Sequence, residues 1–278
     1  MALSLQSFAA ATDEVAGTPG KLAKQARLAE LFRSCDDESL PLAVRFSDGR
    51  AFARTDERVI GVSGALLMDV VLPILGFDYS AFRPLALRHG EVGNAIGEAW
   101  RERSTELDAL TLPDVQASFD QLAAVTAPDA KREILASLWQ RVRTPREAAV
   151  LAKVMLNDLR TGVKEGVLIP AVAKAFERDE ADVRRALLLT GDLDSVALLA
   201  QCDRLGEARF TLFHPIQFML AGLIEAGELR VNRDTGRPDV DLSSLQYPLA
   251  IEPKLDGIRA SPQARRPHRD LHAHARSN

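Results

Sequence analysis

Glu252-Pro253-Lys254-Leu255-Asp256-Gly257-Ile258-Arg259-Ala260 sets an amine, two carboxylates and a guanidinium within nine residues of a locally apolar stretch. A lysine becomes a nucleophile only when it loses its proton, so a site that uses one must bury the amine or surround it with positive charge. Alternate side chains of a strand share a face, and Glu252, Lys254 and Asp256 are therefore expected on one side of the segment. Gly257 then permits a tight turn. The chemistry these residue types suit is covalent catalysis through Lys254.

The run reads K-x-D-G-x-R and resembles the nucleotide-attachment motif of ATP-dependent DNA ligases of the bacterial type. That resemblance implies that Lys254 attacks the α-phosphorus of ATP to give a lysyl-AMP phosphoramidate. By the same carry-over, Glu252 accepts from the adenine amine, Arg259 contacts ribose and phosphate, Gly257 leaves room for the nucleotide and Asp256 orients Lys254. Sealing in the family then passes AMP to the 5′-phosphate of a nick, and the 3′-hydroxyl displaces it. Magnesium in the complete enzyme is implied too, on residues beyond the motif.

Upstream segments resemble the N-terminal DNA-binding domain of the same family, in family order. Leu28 to Phe32, Leu40 to Phe46 and Gly61 to Leu67 match its opening helices. Leu151 to Phe176 matches the place where one helix ends at an "LRxG" turn and another follows, and Thr190-Gly191-Asp192-Leu193 with Ser195-Val196-Ala197 matches a "GDL…VA" stretch. Phe213-His214-Pro215 and Met219-Leu220-Ala221 resemble the entry to the nucleotidyltransferase domain. The likeness covers roughly residues 20 to 260.

Composition narrows the class. With 278 residues, of which 46% are hydrophobic and only 5% aromatic, the chain can bury a sizeable core in one or two domains. Its wealth of alanine, leucine, arginine and glutamate favours helices. Cys35 and Cys202 are too few and too far apart for a disulfide framework or a cysteine metal site, so a reducing cytoplasm is expected, with nucleoid association following from DNA binding. No apolar run reaches membrane-spanning length, and no membrane partner is expected.

The net charge of −4 does not exclude a nucleic-acid partner, because phosphate is bound by a local face. Two basic clusters could form one: Lys131, Arg132, Arg141, Arg143 and Arg146, then Lys153, Arg160, Lys164 and Lys174. Each member could also be an ordinary solvated helix residue. The resemblance singles out Arg160 and Gly162, at the turn that meets the minor-groove backbone in the family, where a glycine admits main-chain amides to phosphate and an arginine neutralises charge. Arg143 and Lys164 are candidates beside them.

Local patterns supply the elements that would position these groups. Thr144-Pro145-Arg146-Glu147 predicts a capping box opening a helix through Leu156. Ile134, Leu135, Leu138 and Val142 predict an apolar helix face over 129–142, as do Val115, Phe119 and Leu122 after Pro113, and Leu22, Ala26, Ala29 and Phe32 after Pro19. Phe52, Phe82, Trp100 and Trp139 are expected in the core. Leu229 and Val231 alternate in a hairpin candidate over 227–238, and 249–255 reads as a buried strand.

The expected architecture is mainly α, an all-helical ligase-type DNA-binding domain followed by an incomplete α/β nucleotidyltransferase fragment. Its boundaries are a flexible N-terminus over 1–19, the helical domain over 20–207, a linker and adenylation fragment over 208–260, and a disordered basic tail over 261–278. His268, His272 and His274 in that tail lack the cysteines or carboxylates of a metal scaffold. Only eighteen residues follow Ala260 here, and the family pattern stops with them, as a shifted frame or degenerate gene would leave it. Lys254 on a strand without neighbours is expected to stay protonated, so this chain alone is expected to carry the motif without completing its chemistry. Two functions compete, a monomeric ATP-dependent DNA ligase and a non-catalytic module for duplex or nicked DNA, with a helical protein-interaction scaffold as a weaker third.

Overall fold

Half of the described helices begin at a side-chain cap that the sequence offers. In a computed structural model, which describes residues 2–101, 107–210 and the backbone of 230–231 and 238–239, twelve α-helices occur among the described residues. They are α1 (Leu5–Gly17), α2 (Lys21–Arg33), α3 (Ser39–Ser47), α4 (Gly64–Leu75), α5 (Tyr79–His89), α6 (Val92–Ala99), α7 (Leu112–Ala124), α8 (Pro128–Gln140), α9 (Pro145–Met155), α10 (Glu165–Ala175), α11 (Glu180–Thr190) and α12 (Leu193–Gln201). Ser4, Ser63, Asp78 and Asp179 each accept an amide of the first turn they precede. Thr111 with Asp114, and Thr144 with Glu147, form complete capping boxes before α7 and α9.

The chain divides into two compact units, Met1–Gln217 and Phe218–Asn278. In the first, Phe8 of α1, Phe46 of α3 and Phe119 of α7 stack edge to face at 6.1 and 5.8 Å, all fully buried. Trp100 and Trp139 meet at 5.5 Å, and Phe52 and Phe82 are buried as expected. Each such side chain removed from water contributes about 1.5–3 kcal/mol, as does each of the more numerous buried leucines, isoleucines and valines. In the second unit, β1 (Arg230–Val231) pairs antiparallel with β2 (Pro238–Asp239), with Arg230 opposite Asp239. That pair overlaps the hairpin candidate; the 249–255 strand and the 261–278 tail lie outside the described residues.

Residues 1–19 depart from the expected flexible terminus. Leu5, Phe8, Ala9 and Val15 repeat at helical spacing and bury against the core. The Leu5 amide donates to Leu110 O at 2.7 Å and the Leu112 amide to Leu3 O at 2.9 Å, which ties the segment to the start of α7. The apolar stripe of α2 also differs at its start. Ala29 and Phe32 are buried, but Leu22 is 80% exposed, because the first turn of α2 overhangs the core that the rest of the helix covers.

Two packing devices set up the functional face. Between α6 and α9, a Cβ on Gly97 would lie 2.9 Å from Ala149 Cβ, and one on Gly93 would collide with Lys153 Cγ, so glycine at both positions lets the helices close. The sixteen-residue connection 48–63 has no regular structure and is pinned from two sides. Asp192 accepts from the amides of Arg54 and Thr55 at 2.7 and 3.3 Å and from the Thr55 hydroxyl, and Lys131 Nζ donates to Ile60 O and Gly61 O at 2.8 and 2.9 Å. No single described helix is long and apolar enough to cross a membrane.

Candidate nucleic-acid interface

Between α9 and α10 the chain makes an irregular turn, and its side chains alternate between core and surface. Leu159, Thr161 and Val163 are buried, while Arg160, Gly162 and Lys164 are exposed. The buried members anchor the segment in the core, which leaves the other three in a row on the surface. Arg160 has φ 48° and Gly162 φ 69°, both in the left-handed region. A side chain at 162 would also press on Lys24 Nζ, 3.3 Å from where its Cβ would stand. Glycine is thus favoured there twice over, for its backbone and for its small size.

Lys164 sits at the N-cap of α10 without capping it by its side chain. The opening amides of a helix have no intrahelical partner, and together with the helix dipole they form a site suited to an anion. Lys164 is exposed, with no side-chain partner among the described residues. From the other side, α2 brings two cations absent from both basic clusters of the sequence reading. Lys24 Nζ donates to Thr161 O across 137 residues of sequence, and Lys21 Nζ lies 3.9 Å from where a Gly166 Cβ would be. No local pattern marks these lysines, since only the packing of α2 on α10 gathers them.

Arg160 is 57% exposed and held at its base. Its Nε donates to Asp158 Oδ1 at 2.6 Å, and one terminal nitrogen donates to Gly90 O at 3.3 Å. Arg143 stands apart. It precedes α9 whereas Arg160 follows it, a separation of roughly 16 Å along an 11-residue helix. Its guanidinium donates to Leu107 O at 2.5 Å.

The remaining members of the first basic cluster are committed within the fold. Lys131 is buried on the carbonyls of the 48–63 connection, Arg132 pairs with Asp129 and Asp69 at 2.7 and 3.3 Å, Arg141 with Asp114 at 3.0 Å, and Arg146 with Asp13 at 3.3 Å. In the second cluster, Lys153 pairs with Glu91 at 3.1 Å, and Lys174 is exposed on α10. A groove of about 680 Å³ runs from the 48–63 connection to Lys164, with Arg50, Arg54 and Arg58 along it.

The "GDL" stretch has a structural task. Gly191 ends α11 at φ 80°, Asp192 pins the 48–63 connection, and the buried Asp194 takes Arg45 at 2.9 and 2.5 Å. Burial pushes the Asp194 carboxyl up, and the Arg45 charge only partly offsets this. Glu252, Lys254, Asp256, Gly257 and Arg259 lie outside the described residues. Among the described residues no group of three or more His, Cys, Asp or Glu could hold a metal ion.

Comparison with known proteins gives this arrangement a context. Residues 4–173 match the family model described as DNA ligase N terminus. A probable DNA ligase of Koribacter versatilis is 35% identical over 256 residues, covering 92% of this chain and 42% of that protein. A DNA ligase of Methanoculleus marisnigri is 34% identical over 91% of this chain and 45% of its own length, and one of Archaeoglobus fulgidus is 30% identical over 84% and 42%. The chain spans less than half the length of these relatives.

Proposed function

The chain belongs to the DNA ligase family, and from that premise we propose that its helical unit grips duplex or nicked DNA for an ATP-dependent sealing reaction. The observation that carries the reading is the outward row Arg160, Gly162 and Lys164 over the uncapped start of α10, joined by Lys21 and Lys24. Cations and main-chain amides on one short surface suit phosphate oxygens, and such contacts fix position on DNA without reading its sequence. Arg143, spent on Leu107 O, would contribute at most from the far end of α9.

Catalysis we assign to the residues of the K-x-D-G-x-R run. Lys254 would attack the α-phosphorus of ATP as a neutral amine, forming the nitrogen–phosphorus bond as pyrophosphate leaves. Glu252 would select adenine, Asp256 would hold the amine in line, Arg259 would carry ribose and phosphate, and Gly257 would make the turn. Magnesium would offset charge on the phosphates during these steps; no described residue is assigned to it. Residues 208–260 would then be the start of an α/β nucleotidyltransferase domain. Roles in repair, replication and recombination, a monomeric state and a place on the nucleoid belong to the same proposal.

Labelled ATP tests the catalytic half. In the full-length protein that carries this sequence, AMP should become attached in an acid-labile bond to Lys254, and Lys254→Ala should abolish it; label on another lysine contradicts the assignment. Residues 1–278 alone, which lack a counterpart of most of the relatives' length, are expected to bind DNA and acquire no AMP. Binding without chemistry is the second reading, and this polypeptide would embody it.

A further inference from the structure

Glu91 is placed where its residue type makes little local sense. It occupies the N-cap of α6, a position that favours Ser, Thr, Asp or Asn, and its side chain accepts none of the α6 amides. Its carboxylate is 5% exposed, and neither oxygen receives a hydrogen bond of good geometry. What surrounds it is charge. Lys153 Nζ lies 3.1 Å from one oxygen and Arg160 Nε 3.8 Å from the other. Lys153 reaches it by laying its stem across Gly93, which has no side chain to obstruct it. The preceding carbonyl, Gly90 O, accepts from the same Arg160.

A buried carboxylate without hydrogen bonds is costly unless neighbouring cations compensate it. Here one of those cations is an exposed residue of the proposed DNA-binding row. We propose that Glu91 is a positioning residue for DNA contact, which together with Gly90 O seats the Arg160 guanidinium so that its outer face is presented to phosphate. The inference rests on the reading of Arg160 as a phosphate contact. Glu91 itself is too buried to touch DNA. Asp158, on Arg160's own turn, fixes Nε locally, whereas Glu91 ties the arginine to the α5–α6 junction, a separate part of the fold. The brace therefore couples the α6–α9 packing to the orientation of one phosphate ligand.

A double-mutant cycle tests it on the whole chain, with a nicked duplex as probe. Glu91→Gln keeps the shape and removes the charge; it should weaken binding about three-fold, although it deletes a negative charge near DNA. In an Arg160→Ala background the same substitution should change nothing. Equal effects in both backgrounds, or tighter binding by the Glu91→Gln variant, would overturn the proposal. A side-chain NMR readout separates it from the reading beneath it. The Arg160 terminal N–H that donates to Gly90 O should exchange slowly with water in the parent and faster in the Glu91→Gln variant, and an unchanged rate would overturn the brace. If Arg160→Ala leaves DNA affinity intact while that exchange responds to Glu91, the phosphate assignment fails and the seating stands without its function. Should the Glu91→Gln variant unfold, Glu91→Asp, which retracts the charge by one methylene, is read the same way.

Discussion

Two stretches of this chain are basic on paper and differ in how their charges are placed. Between Lys131 and Arg146 every cation has a carbonyl or aspartate partner, although Arg146 stays 66% exposed. Between Arg160 and Lys164 the charges stand outward beside an uncapped helix start, and Lys21 and Lys24 join them from α2. The difference lies in what the backbone does. A helix distributes cations around its circumference, where acidic neighbours reach them, whereas a turn anchored by the buried Leu159, Thr161 and Val163 leaves the residues between them at the surface. Positive charge in a sequence is therefore not free charge until its partners are known.

The sharpest way to break this contrast is to exchange the roles. Lys131→Met keeps the stem and removes the ammonium that serves Ile60 O and Gly61 O, two hydrogen bonds in a buried setting. It should cost about 3 kcal/mol, or roughly 6–12 °C in melting temperature for a domain of this size, with little change in DNA affinity while the protein is folded. A calorimetric melt that hardly moves would show Lys131 to be surface charge after all. Arg160→Gly should do the reverse. Removing a side chain at φ 48° relieves left-handed strain of about 1 kcal/mol, against the loss of the exposed Asp158 pair, the bond to Gly90 O and one of the two cations beside Glu91, so the melting temperature should change little. DNA affinity should fall several-fold in an anisotropy titration, and a parallel loss of stability would make Arg160 structural.

Part of this contrast is legible in the sequence. Capping boxes at Thr144, proline at helix starts and the apolar repeats of α7 and α8 are local signals, and the elements they announce are present. The LRTG turn is legible because a glycine that adopts positive φ stands between two periodic helices. The commitments of Lys131 and Arg146 are not, because their partners Ile60 and Asp13 lie 71 and 133 residues away, whereas Arg132 has Asp129 three residues off as well as the distant Asp69. Lys21 and Lys24 escape a local reading for the same reason, whereas the buried stripe of α1, Leu5, Phe8, Ala9, Thr12 and Val15, stands at helical spacing and is itself a local signal.

Acid titration gives a smaller test of the committed cluster. Burial pushes the Asp114 carboxyl up, but the amide and hydroxyl of Thr111 and the Arg141 guanidinium outweigh burial and hold it below its ordinary range. A carboxylate whose folded pKa is depressed contributes stability that is complete above the unfolded value and lost as pH falls through the folded one. Asp114→Asn should therefore lower the melting temperature slightly at pH 7 and flatten its decline below about pH 4. An acid limb as steep as the parent's would remove Asp114 from the network.

The central claim, that the outward cations around the α10 start and not basic residues as such make the DNA-binding face, is tested by salt-dependent binding of two paired variants of the chain to the same nicked duplex. One carries Arg160→Ala with Lys164→Ala, the other Arg132→Ala with Arg146→Ala. Each phosphate contact contributes about 0.9 to the slope of log K against log salt. The account predicts a slope shallower by roughly 1.8 in the first pair and unchanged in the second. Equal losses in both pairs, or a loss confined to the second, would contradict it.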